Sequence, residues 1–454
     1  MAADQPESVE PQSRSFLAET ENFRNGGGSP RDFLERCIAT IEALEPRIGA
    51  FVSLDIEGAR KAADAAGERW KAGKMLSPVD GMPLGVKDIM ETAALPTEQG
   101  SPLFEGWRGG RDSAAVAALR EAGAIIIGKT VTTEFAATQP RGTRNPWDLR
   151  RTPGGSSSGS VAAVAAGMIP AALGSQGLGS TIRPSSFCGV FGFKPSLGAL
   201  NRGGSFDYVS QSVSSVLAAT LEEAWIVARA ISARVGGDPG FAGLMGPIAA
   251  PAASKPACLA LLETGGWKSA SAEAKQALVE VRGRLDTAGI KIIDRTADDA
   301  VAAVEDAIAD AATVTRGLNT WDSRWPLNTY VRDMDASKLS QYARDRQITA
   351  DQMTQQDYQG LVAKRQSARE TYAPLADRCD ACVTLSATGA APLGLESTGD
   401  AAFAVPTSLL GTPAVSLPVL QAEGLPLGLQ LIGFTDEDAA LFETAAAVVS
   451  LFEE

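Results

Sequence analysis

Thr152-Pro-Gly-Gly-Ser156-Ser-Ser-Gly-Ser160, an alanine-rich run from Val161 to Ala166, and then Gly174-Ser-Gln-Gly177-Leu178-Gly179-Ser180-Thr-Ile-Arg-Pro-Ser-Ser-Phe-Cys188 form the stretch whose reading decides the fold. Its composition predicts a helix from Gly159 to Gly167 and a strand from Ile169 to Leu173, with a Gly/Ser loop on either side. Each loop gathers serine hydroxyls and unhindered backbone N–H groups, the materials of acyl transfer. The chain contains no histidine. An activated serine here must therefore use another base.

Outward from that stretch the pattern is α/β. Upstream, Ser29 and Pro30 open a helix whose Phe33, Leu34, Cys37, Ile38, Ile41 and Leu44 share one face. A second helix, Ile56 to Lys71, is striped with alanine. Gly81-Met-Pro-Leu-Gly-Val-Lys-Asp-Ile-Met90 reads as a short buried strand with Lys87 in its apolar middle. Helix Ser113 to Glu121 and strand Ala124 to Ile127 follow. Downstream, helices Leu221 to Arg234 and Ala272 to Ala288 alternate with strands Cys258 to Leu262 and Ile290 to Ile293. Strand character returns at Cys382 to Leu385, Pro413 to Val419 and Leu427 to Gly433, before a last helix from Asp436. Such alternation predicts one α/β domain, a large mixed β-sheet sandwiched between helices (α/β/α). Residues 1–28 read as a weakly ordered N-terminal arm with one short helix near Phe16 to Phe23. Residues 29–454 read as the domain, with a helical cover at about 295–378.

Composition removes whole classes of function. The 454 residues carry a formal charge of -13, which argues against nucleic acid or an anionic membrane surface and for a small-molecule substrate. The longest uncharged run, Thr152 to Ile182, is too rich in Gly and Ser to span a membrane and holds Pro170. Met1 to Glu7 lack the basic and apolar regions of a signal peptide. Five cysteines are an odd number, not a disulfide framework, so a cytoplasmic location is expected. A monomer or homodimer is expected, with no metal or organic cofactor.

Two motifs match other chemistries by letters alone. Gly123-Ala-Ile-Ile-Ile-Gly128-Lys129-Thr130 spells a phosphate-binding loop, but a helix precedes it and its middle is itself the predicted strand, so the required strand–loop–helix context is missing. Gly155-Ser-Ser157-Ser-Gly159 spells a hydrolase nucleophile elbow, but a loop precedes it and no histidine can complete a triad. Cys379-Asp-Ala-Cys382 has no second pair to make a zinc site; a helix end running into a buried strand accounts for it better.

A serine paired with a lysine remains. Lysine is a base only when neutral, and burial lowers its pKa. Lys87, among Leu84, Gly85, Val86, Ile89 and Met90, has the surroundings to be desolvated, although such a lysine also reads as a strand-end residue or an ion-pair partner of Asp88.

Gly81-Met-Pro-Leu-Gly-Val-Lys87-Asp88, Pro153-Gly-Gly-Ser156-Ser-Ser-Gly-Ser, Gly179-Ser180 and Phe187-Cys-Gly-Val-Phe-Gly-Phe-Lys-Pro195, in this order, resemble the amidase signature family, as do Asn145-Pro-Trp-Asp and Leu425-Pro-Leu-Gly-Leu-Gln-Leu-Ile-Gly433. Ser180 stands 24 residues after Ser156 and eight before Cys188, the family's spacings. The resemblance implies Ser180 as nucleophile, Ser156 as a bridging serine after a cis peptide bond, Lys87 as base, and an oxyanion hole from the backbone N–H groups of Gly177, Leu178, Gly179 and Ser180. It implies hydrolysis of an amide, anilide or carbamate (urethane) through an acyl-enzyme, as in aryl acylamidase or urethanase-like members. The alternatives are a glutamine-hydrolysing amidotransferase component and an inactive binding protein of the same fold.

The chain departs from the family in two places. Gly177 and Leu178 stand where a threonine and a glycine are usual, and leucine lacks glycine's freedom at positive φ. Ser210-Gln-Ser-Val-Ser-Ser-Val-Leu217 replaces an Asp-x-x-Gly stretch that usually borders the substrate pocket. Trp147, Trp321 and Trp325 are candidates for holding an aromatic or long apolar group, each with packing as its simpler role.

Overall fold

The computed structural model describes residues 8–453. Among them eleven strands form one mixed sheet: β1 (Phe51–Leu54), β2 (Pro83–Lys87), β3 (Ile125–Thr130), β4 (Ala171–Gln176), β5 (Phe191–Lys194), β6 (Val213–Ala218), β7 (Cys258–Leu261), β8 (Lys291–Ile293), β9 (Ala381–Leu385), β10 (Ala414–Ala422) and β11 (Leu425–Ile432). Their order is β1-β3-β2-β4-β6-β5-β10-β11-β9-β7-β8. β2 runs parallel to both β3 and β4, and β7 to both β8 and β9; the other neighbours are antiparallel.

The parallel trio β3-β2-β4 is buried throughout, as expected of strands covered by helices on both faces. Alternate residues face separate cores, because side chains on a strand point to opposite sides. Ile126, Leu84, Val86 and Leu173 join one apolar cluster, whereas Ile125, Ile127 and Ala172 join another. Helix Pro30–Ile48 lies in the second layer. Ser29 Oγ accepts from Asp32 N, Pro30 opens the helix, and Gly49 closes it in the left-handed region at φ 65°. Helix Ser158–Ala165 is buried all round, which its small side chains allow. It connects the two Gly/Ser loops.

Helices Asp299–Ile308, Ala311–Asp322, Arg324–Asp333, Gln341–Gln352 and Gln355–Tyr372 make up the expected cover. No helix among the described residues is long and apolar enough to cross a membrane.

Two expectations need correction. Residues 8–28 are not a loose arm: Phe16 and Phe23 are buried, their rings 5.5 Å apart, with Phe16 5.2 Å from Phe33 and Phe23 5.5 Å from Trp70. Glu223, itself buried and pushed up to about 7 by that burial, accepts from the N–H groups of Phe16 and Leu17 and from Ser15 Oγ. The partners lie far off in sequence, so the segment read alone as polar. Residues 1–7 lie outside the described residues. The ion pair offered for Lys87 also belongs elsewhere. Asp88 lies 2.9 Å from Lys129 Nζ, both side chains fully buried, which gives the lysine of the phosphate-loop letters a structural role within β3.

Candidate active site

Lys87 ends β2, and Ser175 and Gln176 end its parallel neighbour β4. Both strands deliver their carboxyl ends to the same edge, where open α/β sheets bind ligands. Lys87 is fully buried, with Nζ 2.6 Å from Ser156 Oγ and 2.9 Å from Ser175 Oγ. Burial pushes its ammonium down to about 7, the Asp207 carboxylate working in the opposite direction. A large fraction of this amine is therefore neutral at neutral pH.

Ser156 enters the site from the loop before helix Ser158–Ala165, after a cis peptide bond from Gly155. The buried Arg183 guanidinium donates to Gly155 O, and also to Thr398 Oγ1 at 3.0 Å and Gly399 O at 3.1 Å. Ser156 O accepts from Thr133 N at 3.2 Å. This loop is held from both sides.

Ser180 sits in the turn between β4 and helix Ile182–Cys188. The turn is shaped by Gln176, whose Oε1 accepts from Thr181 N at 3.0 Å and Ile182 N at 3.1 Å while Nε2 donates to Thr407 and Ser408 hydroxyls. Ser180 is 7% exposed and faces the cleft. Its hydroxyl forms no hydrogen bond among the described residues.

Three successive peptide planes before Ser180 are pinned by their carbonyls. Gly177 O accepts from Asn319 Nδ2 at 3.0 Å, Leu178 O from Ser408 Oγ at 3.2 Å, and Gly179 O from Arg183 N at 3.3 Å. In a trans peptide the N–H points opposite to the C=O. The N–H groups of Leu178, Gly179 and Ser180 are thus aimed away from these anchors, and none has a protein acceptor among the described residues. Such preorganised donors suit a developing oxyanion. Leu178 fits without strain, since it is not among the residues with positive φ. The flanking glycines are needed for closeness: a Cβ at Gly177 would meet Val209 Cγ2 at 2.8 Å, and one at Gly179 would meet Ala401 Cβ at 2.8 Å.

The cleft over Ser180 has a cavity volume of about 200 Å³. The serine-rich stretch from Ser210 braces its cover: Gln211 Nε2 donates to Thr315 O and to Asn319 Oδ1 at 3.2 Å, and Ser210 N to Asp322 at 2.7 Å. None of the three tryptophans lines the cleft. Trp147 donates to Cys188 O, Trp321 stacks on Tyr358, and Trp325 stands exposed beside Tyr208.

Lys87 and Ser156 are joined by a hydrogen bond, while Gly177, Leu178 and Ser180 line the cleft together with Ser175, the lysine's other partner. Ser175, Asn319, Ser408 and Arg183 were missed. Ser175 alone had a readable signal, since pairing the strands of Lys87 and Leu173 as neighbours sets it beside the lysine. The cysteines are all free and buried, and among the described residues no cluster of three or more His, Cys, Asp or Glu could hold a metal ion.

A protein-family model described as Amidase matches residues 32–442. A glutamyl-tRNA(Gln) amidotransferase component from Anaeromyxobacter sp. (strain K) is 32% identical over 92% of this chain and 92% of its own length. The crystal structure of an amidase superposes with a TM-score of 0.82 at 25% identity, covering 96% of this chain and 99% of that one. Native peptide amidase from Stenotrophomonas maltophilia shares the fold, with a TM-score of 0.75 at 23% identity and 97% of each chain covered.

Proposed function

The chain belongs to the amidase family, and on that premise we propose that it hydrolyses amide-type C–N bonds through an acyl-enzyme on Ser180. Neutral Lys87 takes the proton of Ser156 while Ser156 takes that of Ser180, whose oxygen attacks the carbonyl carbon. The oxyanion is met by the N–H groups of Leu178, Gly179 and Ser180, with Gly177 supplying the anchored carbonyl before them. On collapse the C–N bond breaks and the relay returns a proton to the leaving nitrogen. Water then attacks the acyl-enzyme by the same relay in reverse and releases the acid. The substrates are amides, anilides or carbamates.

The observation that carries this reading is the buried lysine, lowered to about 7 and 2.6 Å from the Ser156 hydroxyl, whose other partner Ser175 shares the cleft wall with Ser180. A fluorophosphonate or sulfonyl fluoride should label the peptide that contains Ser180. A folded protein that takes up no label would instead be a binding protein on an amidase fold. A second reading, glutamine hydrolysis for a multi-protein amidotransferase, draws on the name of the relative that matches nearly full length.

In this reading Asn319 is a positioning residue, because its amide holds the Gly177 carbonyl from the cover. Asn319→Ala should lower kcat about tenfold, short of the ~100-fold or greater loss seen when an oxyanion donor itself is removed, with KM nearly unchanged. Asn319→Asp, similar in shape but lacking the amide donor, should behave likewise. A change confined to KM would assign Asn319 to substrate contact instead.

A further inference from the structure

Five rings from four separate segments wall the cleft: Phe135 in the turn after β3, Phe206 and Tyr208 in the loop before β6, Tyr330 in helix Arg324–Asp333 and Tyr342 in helix Gln341–Gln352. They are backed by further rings. Phe104 lies 6.2 Å from Phe135 and 5.2 Å from Tyr330, and Trp107 lies 5.1 Å from Phe206 and 6.5 Å from Phe104. Phe135 and Tyr330 are themselves 5.2 Å apart, and Phe206 and Tyr208 6.2 Å.

The wall is held at a conformational cost. Phe135 and Ala136 are consecutive non-glycine residues in the left-handed region, at φ 51° and 54°, a conformation that persists only where the surroundings impose it. Here Phe135 N donates to Gln99 O at 2.8 Å and Ala136 N to Thr133 O at 3.0 Å. The strained turn projects a phenyl ring into the cleft.

The charged side chains around this wall are mostly engaged with the protein. Asp207 accepts from Ser212, Glu134 from Ser101 and Ser340, and Arg346 donates to Asn319 O at 2.7 Å. Arg183 donates to three oxygens near Ser156, its Nε alone without a partner among the described residues, and Arg316 lines the cleft as an exposed cation. The larger part of the surface left for a ligand is aromatic and apolar, suited to edge-to-face contact with another ring.

We infer that the substrate is an amide-type compound carrying an uncharged aromatic group beside the scissile bond, seated against Phe135, Tyr208 and Tyr330. The inference rests on the reading of Ser180 as the acylated residue. It disfavours glutamine, whose ammonium and carboxylate would face a wall that is mainly aromatic and apolar.

The test compares kcat/KM for phenylacetamide, cyclohexylacetamide, acetamide, 4-nitroacetanilide and L-glutamine, with fluorophosphonate labelling in parallel. Phenylacetamide isolates an aromatic acyl side and 4-nitroacetanilide an aromatic amine side. At least one of the two should exceed acetamide and glutamine by about 100-fold, and phenylacetamide, if it is the better aromatic substrate, should exceed cyclohexylacetamide about threefold or more. Tyr208 is 45% exposed, so Tyr208→Ala should fold. It should cost the preferred aromatic substrate about tenfold more than it costs acetamide, and Tyr208→Phe should restore the difference. Glutamine as the best substrate overturns the inference, as does an equal loss on every amide in Tyr208→Ala. Labelling of Ser180 without turnover of either aromatic substrate also overturns it and leaves the acyl-enzyme reading standing. No labelling and no turnover would remove both.

Discussion

Ser180→Ala should reduce amide turnover by about 10⁵- to 10⁶-fold, the scale of loss when the nucleophile of a serine hydrolase is removed, while leaving the melting temperature within a degree or two. The first half follows from the proposed role, since no other hydroxyl occupies that place in the turn. The second follows from the structure. The Ser180 hydroxyl forms no hydrogen bond among the described residues and borders the cleft, so its loss strands no buried polar group. Fluorophosphonate labelling should vanish together with activity. Turnover above about 1% of the wild type in a carefully purified variant would move the nucleophile to another serine.

Lys87→Ala should lower kcat by several orders of magnitude, through loss of the general base and of the hydrogen bonds that orient Ser156 and Ser175. A cavity is a complication, because Lys87 is fully buried. Lys87→Met fills much the same volume without an amine and should lose activity equally while folding well. The pH profile separates chemistry from packing. A lysine acts as base only when neutral, and its neutral fraction grows as pH rises through its pKa. With that value lowered to about 7 by burial, wild-type kcat/KM should rise through pH 6 to 8 and level off above. The residual activity of either variant should lack that limb. An acid optimum near pH 5, or a Lys87→Met enzyme with most of its activity, would refute the assignment.

The sequence revealed most where apolar periodicity was strong. The strands at β3 and β9 to β11, and the helices that flank them, were legible because one face or both are buried without interruption. β6 was not recognised: its Val-Ser-Ser-Val core places buried serines in the sheet, and Ser215 is satisfied by Thr181 Oγ1 at 2.6 Å, a partner no local pattern reveals. Phe16 and Phe23 misled for a related reason, since their burial depends on Phe33, Trp70 and Glu223. At the site, Lys87, Ser156 and Ser180 were named from the resemblance to the amidase signature family, and the hydrogen bond between the first two was within reach of that reading. The resemblance could not find Asn319, whose relevance comes from one hydrogen bond across 142 positions of the chain. Residue type alone offered only the tryptophans as candidates, with packing as their simpler role, whereas the cleft is walled by phenylalanines and tyrosines brought in by loops and cover helices.

The Asn319 bond to Gly177 has a bearing on redesign. Exchanging the cover for that of a homologue is the natural route to a new substrate range, because the cover supplies Tyr330 and Tyr342 to the cleft. Here the same segment also supports the loop that bears Ser180. A chimera whose inserted helix lacks an amide donor at that position would accept its new substrate and turn it over slowly. Libraries that vary the cover while holding Asn319 and Gln211 constant should therefore yield more active members than libraries that randomise them, at equal pocket diversity.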